Sequence, residues 1–565
     1  MDTPLAFPHL NRWAVLVATG ATVAALGCLP ATQAGTVTAR QPDSGSAAGW
    51  SGGIWGDLLA DTVAKDAYGQ NAAQQDAGSL FTVEKAIGVR GVWGKKDSHG
   101  RNVTGQGVGV ALLDSGISPV PGLDSPSKVS YGPDLSVEGN GVLADTDTFG
   151  HGTFMAGIIA GRTTSNPSND LPSAPANVQL GVAPDAKLLA VKLATTDGST
   201  DVSQVIAGLD WVVQHPVLPD GTRIRVINLS YGTDSSQAYQ LDPLAAAAEN
   251  AWRHGIVVVT SAGNAGTATG RLTDPATDPY LLAVGAADSQ ARTDGWAHDH
   301  TRPAAFSNVS TGRHADLLAP GTSVVSARDP GSYIDTNHPE GRVAGDYSGR
   351  LFRGSGTSQA AAVVTGVVAD LLQAFPALTP DQVKYALVSS AQQINNGNAA
   401  SAGAGIVAVA QAYDKASHLL GTDSTGAQLR AAAVQSFPQA TGLGSIEEAR
   451  GGAVMVDADG NDLTGEIDAL GNPWNGAAWY QASSSLTAWS GGQWLGSTWT
   501  GDGWQLDLNL LGLSLTSARW SSARWSSARW SDADWSSARW SSARWSSARW
   551  SSARWSSARW SSEDW

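Results

Sequence analysis

Short apolar runs ending in Gly, Ser or Asn alternate with helix-like stretches from about residue 81 to 420, and nothing else in the chain restricts its fold so strongly. GVGVALLDSG (107–116), KLLAVKL (187–193), RVINLSYG (225–232) and GIVVVTSAGN (255–264) read as strands buried in a sheet. VSQVIAGLDWVV (202–213) and DPLAAAAENAWRHG (242–255) read as helices, the second stopped by Gly255. LTPDQVKYAL (378–387) carries a capping box: Thr379 caps, Pro380 opens the helix and Gln382 reaches back. This alternation predicts an α/β fold whose parallel sheet is covered by helices on both faces. Ligands of such sheets bind at the carboxyl ends of the strands. Asp114 ends one strand, Asn264 follows another, and Ser230 and Gly232 end a third, so three polar sites share one sheet edge.

The flanks read differently. Arg12 precedes the apolar run WAVLVATGATVAALGCLP (13–30), and ATQA (31–34) supplies small residues, so 1–34 reads as a signal peptide cleaved after Ala34. A lipoprotein-like site at LGC (26–28) and an uncleaved anchor helix are the alternatives. Cys28 is the one cysteine of 565 residues, so cleavage leaves a mature chain without disulfides. Residues 35–80 are rich in Gly, Ala, Asp and Gln and read as a linker or short pro-segment. Residues 421–472 are mixed and acidic and read as a linker region. With 42% hydrophobic and 15% charged residues the chain can build a large core. Its net charge of −15 argues against a nucleic-acid binder, which normally shows a basic face.

RGSGTSQAAA (353–362) surrounds Ser358 with small residues, and by itself it fits a turn. A serine hydroxyl reacts only when a base takes its proton and donors hold the oxyanion that follows. Three other stretches contain those parts. LLDSG (112–116) places Asp114 at a strand end, DTFGHGTFMAG (147–157) sets His151 between glycines, and TSAGNAG (260–266) presents Asn264 in a tight turn. Each alone fits a loop, but together they supply what acyl transfer needs. Ser358 attacks, His151 accepts its proton and returns it to the leaving amine, and Asp114 holds the imidazole. The Asn264 amide and the Ser358 backbone N–H receive the oxyanion. The run AAAVVTGVVADLL after Ser358 is apolar nearly all round and predicts a buried helix, with Ser358 at the N-terminus where negative charge is favoured.

These motifs, DSG, GHGT, SAGN and GTSQA in that order, resemble the Asp, His, oxyanion and Ser blocks of the subtilisin-like serine proteases, the subtilase family. GVAPDAKLLAVKL (181–193), INLSYG (227–232), DPATDPYLLAVGA (274–286), FSN (306–308) and APGTSV (319–324) extend the resemblance over about 81–420. The resemblance implies a three-layer α/β sandwich around a mostly parallel sheet, and a secreted serine endopeptidase acting on protein or peptide substrates. It also implies that Ser230, Tyr231 and Gly232 pair with substrate backbone. Ala262 and Gly263 then line the pocket for the side chain before the cut. Water is the second substrate and no cofactor is required. Two departures stand out. Gln359 follows the nucleophile where the family usually has Met or a small or apolar residue, and its side chain need not face the chemistry. The segment 161–179, where many relatives hold calcium, has one acid, Asp170, whereas calcium takes several oxygen ligands. Calcium there stays an open alternative. The acidic run 457–468 lacks the Gly of an EF-hand, with Asp462 in its place.

Trp recurs at 474, 479, 489, 494, 499 and 504, and SSARW repeats through 516–565 with Trp at every fifth position from 520. Five residues advance a helix by about 500° and alternate faces in a strand, so neither element gathers these rings on one side. Residues 473–565 therefore read as a low-complexity tail. Eight Arg against Asp532, Asp534, Glu563 and Asp564 leave 516–565 at +4, opposite in sign to the whole chain. Arg–Trp neighbours suit contact with cell-wall glycan or a membrane surface. The rival to an enzyme is an inactive adhesion protein on a peptidase fold.

Overall fold

The run at 107–116 becomes β1 (Val108–Asp114), every residue of it buried, in the centre of an eight-stranded sheet. In this computed structural model the described residues are 68–136, 138, 143–288, 301–395, 397–452, 455–456, 462–463 and 465–498, with the strand pairs Arg519–Trp520 and Arg524–Trp525. All lie in one unit, Ala60–Trp565. The expected signal peptide, most of 35–80, part of the acidic run at 457–468 and most of the repeat lie outside the described residues.

The remaining sheet strands are β2 (Val129–Asp134), β3 (Lys187–Lys192), β4 (Arg223–Leu229), β6 (Val257–Ser261), β7 (Leu282–Asp288), β8 (Arg302–Pro303) and β9 (Leu317–Pro320), while β5 (Tyr231–Gly232) lies outside the sheet. Their order is β2-β3-β1-β4-β6-β7-β8, with β9 also on β7. Every pairing is parallel except that of β8 with β7. Helices α1 (His151–Ala160), α2 (Val202–Gln214), α3 (Pro243–Arg253) and α4 (Thr357–Ala374) cover the sheet in a three-layer α/β arrangement, with α1 packed on α4 and α2 on α3. Residues 357–373 of α4 are all buried, as a surface apolar nearly all round predicts. The capping box at Thr379 opens α5 (Pro380–Ser390), and a second one, Asp201 with Gln204, opens α2.

β1 leads to β2 on one side of itself, while β4 leads on to β6 on the other. The crevice between their carboxyl ends is thus the switch point at which open α/β sheets bind ligands. Asp114 and Ser230 stand there, and the turn after β6 carries Asn264 alongside.

The packed fold extends past both composition boundaries. Near the N-terminus, Arg353 pairs with Asp76 at 2.7 Å, and Tyr68 donates to the same carboxylate at 2.7 Å. In 421–472, read as a linker region, Arg450 is buried; it pairs with Asp201, the cap of α2, at 2.7 Å and with Glu447 at 3.0 Å. The first tryptophans of the five-residue grid are core residues as well. Trp479, on α6 (Gly476–Ser484), donates its indole N–H to Asp210 at 3.0 Å, Trp494 donates to the same oxygen at 2.9 Å, and Trp489 donates to Ala207 O at 2.8 Å. The expectation that no regular element gathers these rings is corrected by a two-residue hairpin. With Gly491 and Gly492 both at positive φ, residues five apart stand directly opposite, and Trp489 pairs with Trp494. Burial pushes the Asp210 carboxyl up to about 6 although Ser483, Trp494 and Trp479 all donate to it.

Candidate active site

Asp114 and His151 lie 37 residues apart in sequence, yet His151 Nδ1 sits 2.8 Å from Asp114 Oδ1 and 3.0 Å from Oδ2. Both side chains are buried. The carboxylate accepts, so Nδ1 carries the proton and Nε2 is the basic nitrogen. Ser115 N donates to Asp114 Oδ1 at 2.8 Å. Burial pushes the Asp114 carboxyl above its ordinary value, and the imidazole pulls it the other way.

The small residues around His151 have a steric cause. A Cβ on Gly152 would stand 2.1 Å from Gly116 O and 3.2 Å from the Asp114 side chain, so only glycine lets α1 approach the end of β1. Asp147, in the same motif as His151, fastens this turn. Its Oδ1 accepts from Ser115 Oγ and from Gly150 N, each at 2.7 Å, and its Oδ2 accepts from Thr153 N at 2.7 Å. One carboxylate thereby ties the Asp114 loop to the start of the helix that carries His151.

Ser358 is the second residue of α4 and is buried. Its Oγ donates to Ser230 O at 3.4 Å, and its carbonyl accepts from Ser230 Oγ at 3.3 Å. Asn228 Nδ2 holds that Ser230 hydroxyl at 2.9 Å. The ends of β4 and of α4 are therefore fixed to each other at the two serines.

Asn264 is oriented by Thr357, a contact the sequence did not suggest. Thr357 N and Oγ1 donate to Asn264 Oδ1 at 2.8 and 2.9 Å, and Gly263 N donates to Thr357 Oγ1 at 3.1 Å. With Oδ1 committed, Nδ2 turns away, buried and without a hydrogen-bond partner among the described residues. A buried donor left unpaired costs about 1–3 kcal/mol of stability, and this one is available to a further acceptor. Asn308 pins the rest of the turn: its Oδ1 accepts from Ala265 N at 2.6 Å and its backbone N–H donates to Gly263 O at 3.0 Å. Gly263 has φ 104°, and a Cβ there would stand 2.5 Å from Asn308 Nδ2. Ala262 is buried beside it, its N–H donating to Val284 O at 2.9 Å.

Tyr231 turns its ring into the core, where burial and then Asp201 and Asp274 hold the phenol well above its ordinary value. Gly232 is half-buried. Gln359 differs from expectation. Its amide is buried beside Gly356, with neither Oε1 nor Nε2 partnered among the described residues. The spot where a Gly356 Cβ would sit is 2.6 Å from Gln359 Oε1 and 3.4 Å from Asn264 Nδ2, so the two amides flank one place. The cause is helix geometry: a third-position side chain folds back toward the cap, and the Gly356 N–H it would meet already donates to Gly321 O at 2.8 Å. Among the described residues no group of three or more His, Cys, Asp and Glu side chains is placed to hold a metal ion, and no helix is long and apolar enough to cross a membrane.

The subtilase family model matches residues 105–406. Serine protease AprX of Bacillus subtilis (strain 168) is 33% identical over 315 residues, which is 55% of this chain and 66% of that protein, just under two thirds of its length. Subtilisin Savinase of Lederbergia lenta is 31% identical over 301 residues, 53% of this chain and 89% of that protein. Among solved structures, fervidolysin from Fervidobacterium pennivorans, titled a keratinolytic enzyme related to subtilisin, aligns with TM-score 0.45 and 26% identity over 60% of this chain and 47% of that one.

Proposed function

Since this chain belongs to the subtilase family, we propose that it is a secreted serine endopeptidase working through Asp114, His151 and Ser358. The observation that carries the reading is the buried 2.8 Å contact between His151 Nδ1 and Asp114, which holds the tautomer a general base needs. Ser358 Oγ attacks the peptide carbonyl carbon while its proton passes to His151 Nε2, and Asp114 stabilises the imidazolium. Asn264 Nδ2 and the Ser358 N–H receive the oxyanion, where preorganised donors act most strongly. The intermediate collapses to an acyl-enzyme as His151 protonates the departing amine. Water then repeats the sequence on the ester and restores the serine. No step draws on a cofactor.

Substrate backbone pairs with Ser230–Gly232, and the side chain before the cut enters beside Ala262 and Gly263. The segment 1–34 exports the chain. The basic Trp-rich residues beyond 498 attach it to the cell envelope, Trp479, Trp489 and Trp494 being buried in the core. Replacing Trp by Ser throughout 499–565 is expected to release the protein from cell-wall preparations; unchanged retention refutes the attachment.

A serine-directed fluorophosphonate tests the catalytic reading. An adduct mapped to Ser358 in the chain starting at residue 35, and absent from Ser358→Ala, is the expected result. No adduct at Ser358 there but one in a chain starting at Ser79 means a latent enzyme masked by 35–80, and no adduct in either points to a binding protein on a peptidase fold.

A further inference from the structure

The tail repeat is the one sequence motif the proposed reaction leaves without a place. Two successive copies form strands. Arg519–Trp520 pairs antiparallel with Met455–Val456, and five residues later Arg524–Trp525 pairs antiparallel with Tyr231–Gly232, Arg524 opposite Gly232 and Trp525 opposite Tyr231. Among the described residues Arg524–Trp525 is the only strand paired with Tyr231–Gly232. That short edge adjoins Ser230, whose carbonyl lies 3.4 Å from Ser358 Oγ. Ser358 and His151 are both 0% exposed in the full chain.

We propose that the Arg-Trp repeat of the C-terminal tail docks in cis on the edge Tyr231–Gly232 and competes there with incoming peptide backbone. The inference rests on reading Ser230–Gly232 as the substrate edge.

Three observations favour the tail as occupant over an outside partner. The pairing itself is antiparallel strand addition, in which main-chain bonds supply affinity and the guest's side chains, here Arg and Trp, supply selectivity. The charges are complementary, since eight Arg and four acids make 516–565 basic in a chain of net charge −15. The repeat also supplies eight Arg-Trp dipeptides, so a copy that leaves the edge is replaced by the next. A tether of a few tens of residues holds its end at an effective concentration on the order of 1 mM. A dipeptide motif with an intrinsic dissociation constant of about 0.1 mM would then occupy the edge about ten times more often than not.

The test uses two full-length chains carrying Ser358→Ala, so that nothing is cleaved. One keeps the natural tail. The other carries Arg524→Gly and Trp525→Ser, with the same change at every other Arg-Trp of 516–565. A fluorescein-labelled SSARWSSARW peptide, followed by anisotropy, is expected to bind the altered chain about tenfold more tightly. Equal affinity, or binding to neither, overturns the proposal. Hydrogen exchange gives a second readout: the Tyr231 and Gly232 amides are expected to exchange more slowly in the natural-tail chain, independently of protein concentration. Equal exchange, or protection that grows with concentration as a second copy would produce, overturns docking in cis. The same pair of tails with Ser358 intact separates this inference from the reading beneath it. If both hydrolyse peptide with the same KM, docking fails and the peptidase reading stands. If neither reacts with fluorophosphonate but the peptide still discriminates between them, docking stands and the peptidase reading fails.

Discussion

Asn264 performs two tasks that a pair of substitutions can separate. Its Oδ1 accepts from Thr357 N and Oγ1 at 2.8 and 2.9 Å, which ties down the start of α4. Its Nδ2 is a buried donor with no partner among the described residues, the atom expected to meet the oxyanion. Asn264→Ala removes both. Asn264→Asp keeps an oxygen for Thr357 but replaces the donor by a second acceptor. Loss of one oxyanion donor costs about 10²–10³ in kcat, or roughly 2.7–4 kcal/mol, a range established on subtilisin itself and carried over here. Because the donor acts on charge that develops only in the transition state, KM should change little. Both variants are therefore expected to lose about 10²–10³ in kcat, the Asp variant at least as much as the Ala, since its charge repels the oxyanion. Only Ala should also lose about 1 kcal/mol of stability, the typical value of a helix-start acceptor. Initial rates on a chromogenic peptide give kcat and KM, and urea denaturation in the Ser358→Ala background gives stability without autolysis. A kcat for Asn264→Asp within about threefold of wild type would refute the donor role. A loss confined to Ala would assign the whole effect to the helix start.

Asp114→Asn should leave the fold intact and lower kcat by about 10⁴, because the amide can donate to Nδ1 and favours the wrong imidazole tautomer; a fall of less than about tenfold would count against the triad. Asp210 makes a signed pH prediction. Its folded pKa of about 6 exceeds its ordinary value of 3.8, so the native state binds its proton more tightly and gains stability at low pH. That gain is lost as pH rises from about 4 to 6 and amounts to roughly 3 kcal/mol. Asp210→Asn should remove that part of the slope in denaturation measured between pH 4 and 7, and parallel slopes in the two chains would contradict the assignment. Gln359→Met removes two buried unpartnered polar atoms and should raise stability by about 1–3 kcal/mol, whereas a destabilised variant would mean that the amide has a partner of its own.

The alternation of short apolar runs with helices was readable because burial imposes it residue by residue. Val108–Asp114 is buried on both faces, and its composition says so without reference to any neighbour. Capping was equally local: Thr379 and Gln382 find each other across one helical turn. The four motif blocks could be listed in order for the same reason. Their juxtaposition was another matter. Nothing in the spacing of Asp114 and His151 brings an imidazole to 2.8 Å from a carboxylate; the sheet order and the bare Cα of Gly152 do that. Thr357 acquires its hold on Asn264 only when the turn after β6 meets the start of α4.

The same distinction explains the C-terminal quarter. Composition placed a linker at 421–472, which is mixed and acidic, and a loose tail from 473, whose five-residue period fits neither a helix nor a strand. Long-range partners decided otherwise: Arg450 found the cap of α2, and three indoles found Asp210 and Ala207 on that helix. Five-residue spacing has no meaning for one helix or one strand, but across a two-residue turn it sets Trp489 directly opposite Trp494. Sequence alone determined the elements, their class and the chemical groups available, since these follow from local propensity and from each residue's own cost of exposure. The tertiary structure alone decided which groups meet, because a contact's free energy belongs to both partners, and only one of them is visible in any stretch of chain.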